Sequence, residues 1–132
     1  MNKKQTARRN DLDFEIQFFE AVLKTTPDFI EGLIALGDAY TRKGLYPKGL
    51  EIDLHLTRLR PGDPHILYNL ACSYSLLNNI DAALATIKSA VERGYDRFEY
   101  LQHDSDLANL RRDRRYQEFI SDLAHKRAGT RR

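Results

Sequence analysis

The sequence predicts an all-α protein built from stacked antiparallel helix pairs. Small and apolar residues recur with a period of 34 residues, so that the stretch beginning at Pro27 repeats at Pro61. A period of this length indicates a repeat architecture, because a single unit cannot bury its own apolar face. Within each unit the apolar residues recur at helical spacing. The matching positions are Leu33 and Leu67, Leu36 and Leu70, Gly37 and Ala71, Tyr40 and Tyr74, Gly49 and Ala83, and Leu50 and Leu84.

Each unit is predicted to be a helix, a turn and a second helix. Gly44 in the first unit and the pair Asn78–Asn79 in the second interrupt the apolar pattern, as turn residues do. Asp63–Pro64 marks a helix start, because Asp can cap a helix and Pro at the first helical position loses no useful donor. Gly94 is a helix stop.

The pattern continues outward in incomplete form at both ends. Phe19 and Val22 fall at the positions of the second helix of a repeat, but the pattern of the first helix is missing before them. At the other end, Phe119 and Leu123 lie on one face of a final helix. Atypical ends that seal the stack are expected of repeat arrays. We also expect the chain to be disordered from about Ala128. The predicted organisation is a basic tail over 1–10, one domain over 11–126 and a C-terminal tail over 127–132. The domain comprises a half repeat (11–27), repeat one (28–61), repeat two (62–95) and a degenerate capping unit (96–126).

The repeated positions resemble those of the tetratricopeptide repeat (TPR) family. Leu33 and Leu67 stand where that family favours Trp, Asp53 stands where it favours an aromatic residue, and Tyr95 replaces a closing Pro. The resemblance is to small bacterial TPR-containing proteins. It implies a right-handed superhelix whose concave groove, lined by the first helix of each pair, holds a peptide or a partner helix.

Composition fits a soluble helical protein of one domain. Of the 132 residues, 42% are hydrophobic and 30% are charged. No apolar run reaches membrane-spanning length, and no apolar segment of a secretory signal follows the basic N-terminus. The single cysteine fits a reducing compartment. We therefore expect a cytoplasmic protein that does not enter the membrane.

Net charge is unevenly distributed. The formal charge of +2 combines +4 over residues 1–10, +5 over 111–132 and −7 over the rest. Charged, solvated ends explain this pattern better than nucleic-acid binding, since no aromatic–basic interleaving accompanies the basic residues.

The groove implied by the resemblance defines the candidate peptide-binding residues. An Asn can donate and accept, so Asn69 can hold the backbone of an extended peptide, and Tyr68 offers a large contact area at low entropy cost. The alternatives are that Tyr68 packs on a neighbouring helix and that Asn69 faces water. The candidates are Glu31, Ile34, Asp38 and Arg42 from repeat one, His65, Tyr68, Asn69 and Cys72 from repeat two, and Gln102 and His103 from the capping unit.

A carboxylate clamp, known from chaperone-binding TPR domains, is not predicted. The positions that match its Lys, Asn and Arg residues hold Ile34, Asp38, Asn69, Glu99 and His103, of which only Asn69 agrees. Acidic side chains would repel a C-terminal carboxylate. We expect a neutral or basic peptide as partner rather than an acidic chaperone tail.

The N-terminal helix supplies a second hypothesis. Phe14, Phe18, Phe19 and Val22 spread over more than one face of this helix. An uncovered apolar face requires a cover, which would be the N-terminal stretch, a partner or another copy of the chain. Alternatively, the aromatic rings wrap into the core from both sides.

No constellation of catalytic or metal-binding residues is recognisable. None of the four histidines has a His or Cys partner at metal-ligand spacing on a helix, and Cys72 is better explained as a packing residue. Asp104 and Asp106 are explained by capping. We therefore predict no enzymatic activity, cofactor or metal. The predicted function is a protein-binding adaptor or co-chaperone; the alternatives are a secretion-type chaperone that shields a hydrophobic client and a self-assembly module.

Overall fold

The computed structural model describes the backbone of residues 3–130 and the side chains of residues 11–129. These residues form helices and no strands. The α-helices are α1 (Lys3–Thr25), α2 (Ile30–Lys43), α3 (Tyr46–Leu59), α4 (Pro64–Leu76), α5 (Ile80–Glu92), α6 (Phe98–His103), α7 (Ala108–Arg111) and α8 (Arg114–Thr130), and a 3₁₀ turn over Ser105–Leu107 precedes α7.

The chain divides into two compact units, of which the first ends at Pro61. In the first unit α2 packs against both α1 and α3. A Cβ built on Gly37 would lie 3.1 Å from the Ile52 side chain. The small residue of the repeat pattern therefore lets α2 and α3 approach closely. The core of this unit contains Ile16, Leu36, Ala39 and Tyr40, with Phe19, Leu23, Leu45 and Ile52 packed against it.

The second unit begins at Gly62 and pairs α4 with α5. Its core extends beyond that pair, because the turn before α7, α7 itself and α8 add side chains to it. The Tyr116 hydroxyl, from α8, donates to the Leu101 carbonyl at 2.7 Å. The buried core comprises Leu67, Tyr68, Ala71, Cys72, Ala83, Leu84, Ile87, Ala90, Tyr95, Leu101, Leu107, Leu110 and Tyr116.

The helix boundaries follow the turn residues of the sequence. Gly44 ends α2 with φ of 87°, and Gly94 follows α5 with φ of 111°, a backbone region that glycine enters without steric cost. Asn78 has φ of 59°. The Asp63 carboxylate accepts from the backbone N–H groups of His65 and Ile66, so the predicted start of α4 is confirmed.

The terminal segments correct the sequence prediction. Residues 3–10 belong to α1 rather than to a tail, and α8 continues to Thr130 rather than ending at residue 126. The N-terminal segment contains Lys, Gln, Ala and Arg, which favour helices. The expected disorder from Ala128 is wrong for residues 128–130, and residues 131–132 lie outside the described part of the chain.

Candidate functional site

A pocket of about 340 Å³ opens on the surface of the second unit. Helix α4 supplies one wall, and the segment from the end of α5 through α6 supplies the other. Its lining residues are His65, Tyr68 and Asn69 from α4, Tyr95 and Arg97 from the connection, Tyr100 from α6, and Asp104 just after α6.

Two stacked tyrosines form the floor of this pocket. The rings of Tyr68 and Tyr95 are 4.3 Å apart and nearly parallel, with an interplanar angle of 5°. His65 meets the Tyr95 ring edge-on at 5.6 Å. Tyr68 is only 7% exposed. Stacked and edge-to-face contacts are favoured arrangements of aromatic rings, so the floor is closely packed.

Asp104 connects this floor to the turn before α7. One of its carboxylate oxygens accepts from the Tyr68 hydroxyl at 2.5 Å, and the other accepts from the Asp106 backbone N–H at 2.9 Å. Both oxygens of Asp104 are therefore engaged inside the unit. This arrangement confirms the capping role expected of Asp104.

The floor tyrosines stay protonated at neutral pH. Burial, followed by the nearby Cys72 and the hydrogen bond to Asp104, raises the pKa of the Tyr68 hydroxyl above its ordinary value. Burial raises the pKa of Tyr95 to about 12, although a hydrogen bond with Tyr68 acts in the opposite direction. Both hydroxyls are consequently neutral donors under ordinary conditions.

The rim of the pocket consists of exposed polar and aromatic side chains. His65, Asn69 and Arg97 are exposed, and Tyr100 is 48% exposed. Within the described residues, no hydrogen bond or ion pair engages the side chains of Asn69 and Arg97. An amide that donates and accepts, a guanidinium fork and a phenol ring thus face the solvent around one concavity.

The predicted residues of the second unit separate into three groups. His65 and Asn69 lie at the rim, and Tyr68 packs in the floor, as the alternative interpretation proposed. Cys72 is a correction: it is 7% exposed and belongs to the core, because it follows Tyr68 by one helical turn and shares its buried face. Gln102 and His103 are exposed but do not line the pocket.

Sequence reasoning missed four lining residues, namely Tyr95, Arg97, Tyr100 and Asp104. Three of them follow the helical spacing i, i+3 and i+7, which places them on one face of α6 and its flanks. That spacing was a usable signal. The face could not be selected from the sequence, because a helix of six residues carries too short an apolar pattern to fix its orientation.

The predicted residues of the first unit lie on the exposed side of α2. Glu31, Ile34, Asp38 and Arg42 are all exposed. The Arg42 guanidinium pairs with Asp38 at 2.8 Å and with Glu15 of α1 at 2.7 Å. The Asp38 carboxylate is therefore already paired with a cation of its own helix. A groove that includes residues of both units remains a prediction.

Helix α1 has two contrasting faces. Ile16 is buried and Phe19 packs against the core of the first unit, while Phe14 and Phe18 are 71% and 53% exposed. The interpretation in which all the aromatic rings enter the core is therefore wrong for these two residues. Phe19 and Val22 are partly buried, which leaves Phe14 and Phe18 as the exposed members of the predicted self-association set.

The described part of the chain has neither a metal-binding cluster nor a membrane-spanning helix. There, no cluster of three or more His, Cys, Asp or Glu side chains has the arrangement needed to hold a metal ion. Among the same residues, no helix combines the length and the apolar character needed to span a membrane.

Comparison with known proteins agrees with the helical repeat. No protein-family model matches the chain. A chloroplastic protein from Arabidopsis thaliana is 29% identical over 99 residues, which are 73% of this chain and only 28% of that protein. The solved structure of MamA 41-end from Desulfovibrio magneticus RS-1 superposes with a TM-score of 0.68 at 17% identity, covering 91% of this chain and 70% of that chain.

The superposition defines the fold class. MamA is a TPR-containing protein, and the chain therefore has a TPR-type fold of antiparallel helix pairs. At 17% identity the likeness concerns the fold alone.

Proposed function

We propose that this protein is a non-enzymatic adaptor or co-chaperone that holds an extended segment of a partner protein in the pocket of the second unit. The observation that carries the proposal is the combination of a closely packed tyrosine floor with a rim of solvent-facing polar groups. A closely packed floor reduces the ordering that binding requires. The fold class agrees with this proposal by analogy only.

Each rim residue has a specific role in the proposal. The Asn69 amide pairs with a backbone N–H and C=O of the bound segment. The Arg97 guanidinium donates to a further oxygen, and the Tyr100 ring packs against a side chain at small entropy cost. The floor tyrosines exclude water from beneath these contacts, which strengthens them.

Charge favours a neutral segment. Asp104 places one negative charge in the pocket, which by itself would attract a basic segment. Arg97 stands at the rim and opposes such a segment. An acidic C-terminal chaperone tail is not the expected partner, because Asp38 and Glu99 occupy positions where the carboxylate clamp needs cations or amides.

A chaperone for a hydrophobic client is the second candidate. Ile34 on α2 is 41% exposed, which supports an apolar contact in the first unit. The polar rim of the pocket favours the adaptor. Cys72 is the single cysteine of the chain and is buried, which fits a reducing compartment such as the cytoplasm for either candidate.

A displayed library of random peptides, panned against the immobilised protein, tests the proposal. The affinities of selected peptides are then measured by fluorescence polarisation for wild type and for the Asn69→Ala and Tyr100→Ala variants. We expect each variant to weaken binding by about tenfold, the size of one good contact. Gln102→Ala is the matched control, because Gln102 is exposed on the same short helix but lies outside the pocket.

Circular dichroism and melting first establish that all variants are folded. If every variant binds the selected peptides as tightly as wild type does, the binding site lies elsewhere on the protein. A library that yields no binder would remove the support for peptide recognition altogether.

A further inference from the structure

The pocket of the second unit carries one positive and one negative side chain, at opposite ends of α6. Arg97 directly precedes α6, and Asp104 directly follows it. The other lining residues are three tyrosines, an asparagine and a histidine. The lining is therefore dipolar, and neither sign of charge prevails in it.

The two charges are separated by the length of α6. Seven positions separate Arg97 from Asp104, which corresponds to about 10 Å along the axis of a helix. Burial is the main reason that the pKa of the Tyr95 hydroxyl is raised; Asp104 adds to this rise, whereas Arg97 opposes it. Both charges therefore act on the same floor residue, from the two ends of one cavity.

Each of the two charges can still take a partner. Arg97 is exposed, and no hydrogen bond or ion pair within the described residues engages its guanidinium. Asp104 is half-buried, and each of its carboxylate oxygens accepts one hydrogen bond, from Tyr68 or from the Asp106 backbone. A carboxylate oxygen has two lone pairs, so each oxygen can accept a further bond. Both donors are neutral, so they leave the negative charge of Asp104 uncompensated.

A segment bound in the pocket removes water from both charges. Removing water from a charge is costly unless a group of opposite sign replaces it. A segment without charged residues leaves Arg97 and Asp104 unpaired, and a segment of one sign pairs with one of them and is repelled by the other. Only a segment that carries both signs satisfies both ends of the pocket.

We infer that the bound segment carries an acidic and a basic residue about three positions apart, the acid on Arg97 and the base on Asp104. This inference rests on the proposed function and specifies the chemistry of the partner. An extended segment advances about 3.1–3.4 Å per residue, so three positions span the roughly 10 Å between the two charges. Such a segment is neutral in sum, although it is charged at both contacts.

The peptides that panning selects on the wild-type protein provide the test. Their sequences are expected to share an Asp or Glu about three positions from a Lys or Arg. Fluorescence polarisation then compares a selected peptide with versions in which Gln replaces the acid or Met replaces the base. Each replacement is expected to weaken binding to wild type by about fivefold, the size of one accessible ion pair.

Variants of the protein identify the partner of each peptide charge. On Arg97→Gln, replacing the acid of the peptide is expected to have no further effect, because the cation that it contacts is gone. Asp104→Asn is expected to abolish the effect of replacing the base in the same way. The Asn side chain still accepts from the Asp106 backbone, so this substitution removes the charge and keeps the turn.

Reversing one charge provides the decisive comparison. Arg97→Glu is expected to bind the selected peptide at least about fivefold more weakly. It is expected to recover binding when Lys replaces the acid of the peptide, an exchange that a merely structural effect would not produce. Arg112→Glu is the matched control, because it makes the same change in net charge at an exposed position outside the pocket.

Two results would overturn the inference and leave the proposed function intact. Peptides whose binding depends on Asn69 could share no acid–base pair, or their uncharged versions could bind as tightly as the parent peptide. The absence of any binder, or binding that Asn69→Ala and Tyr100→Ala leave unchanged, would instead remove the proposed function and this inference with it. Circular dichroism verifies the fold of each variant, and the peptide replacements probe the same contacts on the unaltered protein.

Discussion

Ser75 illustrates how one buried residue joins two helices of the second unit. The sequence places Ser75 on the same helix as the groove candidates, yet it is fully buried. Its Oγ accepts from the Leu110 backbone N–H at 3.2 Å, and its carbonyl oxygen accepts from the Asn109 amide at 3.0 Å. Leu110 lies in the first turn of α7, where backbone N–H groups lack partners within the helix. Ser75 therefore holds α7 against α4.

Replacing Ser75 with Ala is expected to destabilise the protein by about 1–3 kcal/mol, because the buried Leu110 N–H loses its acceptor. Urea unfolding followed by circular dichroism measures the change. Ser121→Ala, at an exposed position of α8, is expected to change stability by less than about 0.5 kcal/mol. Equal effects of the two substitutions would show that the Ser75 hydrogen bond contributes nothing to stability.

At the level of the element, helices α4 and α5 start in different ways. Asp63 precedes α4 and accepts from the backbone N–H groups of His65 and Ile66 at 3.0 and 3.2 Å. Asn79 precedes α5 at the equivalent position and makes no such side-chain bond. The two positions thus offer a matched comparison of a helix with and without a side-chain cap.

Asp63→Ala is expected to cost about 1 kcal/mol of unfolding free energy, the usual value of an N-cap. Asn79→Ala is expected to cost clearly less, and Asp63→Asn should retain most of the stability because its amide oxygen still accepts. Thermal and urea unfolding of the three variants provide the comparison. A larger loss for Asn79→Ala than for Asp63→Ala would contradict the assigned role of Asp63.

Across the molecule, buried tyrosines in both units connect stability to alkaline pH. Burial and the hydrogen bond that its hydroxyl donates to Glu20 raise the pKa of Tyr40 from 10.0 to about 12. Burial raises the pKa of Tyr95 to about 12 as well. In this range the unfolded chain releases its tyrosine protons while the folded chain keeps them.

The sign of the effect follows from proton linkage. Since the unfolded state binds fewer protons above pH 10, the free energy of unfolding is expected to fall as pH rises from 10 to 12. Urea unfolding at several pH values in that window measures the decline, and tyrosinate absorbance reports ionisation. The Tyr40→Phe/Tyr95→Phe variant is expected to decline less steeply. An identical slope for variant and wild type would contradict the assignment.

Much of the fold could be predicted because the repeat is recognisable from patterns of residues that lie close together in the sequence. The spacing of Leu36 and Tyr40, the turn at Gly44 and the cap at Asp63 each act within a few residues of the chain. The candidate site was predictable only in part. His65 and Asn69 lie on the long helix α4, whose apolar stripe fixes its orientation, whereas the contributions of the short helix α6 depend on how that helix packs.

The sequence by itself was enough to predict the helical repeat, the ends of the helices and the small residues where helices approach closely. Each of these features depends on residues only a few positions apart in the chain. Folding in three dimensions was needed to bury Cys72 and Ser75 and to bring Tyr68 to Asp104, 36 residues away. It also turned Phe14 and Phe18 outward. Burial and long-range hydrogen bonds depend on which helix face meets a neighbour, and residues far apart in the sequence settle that choice.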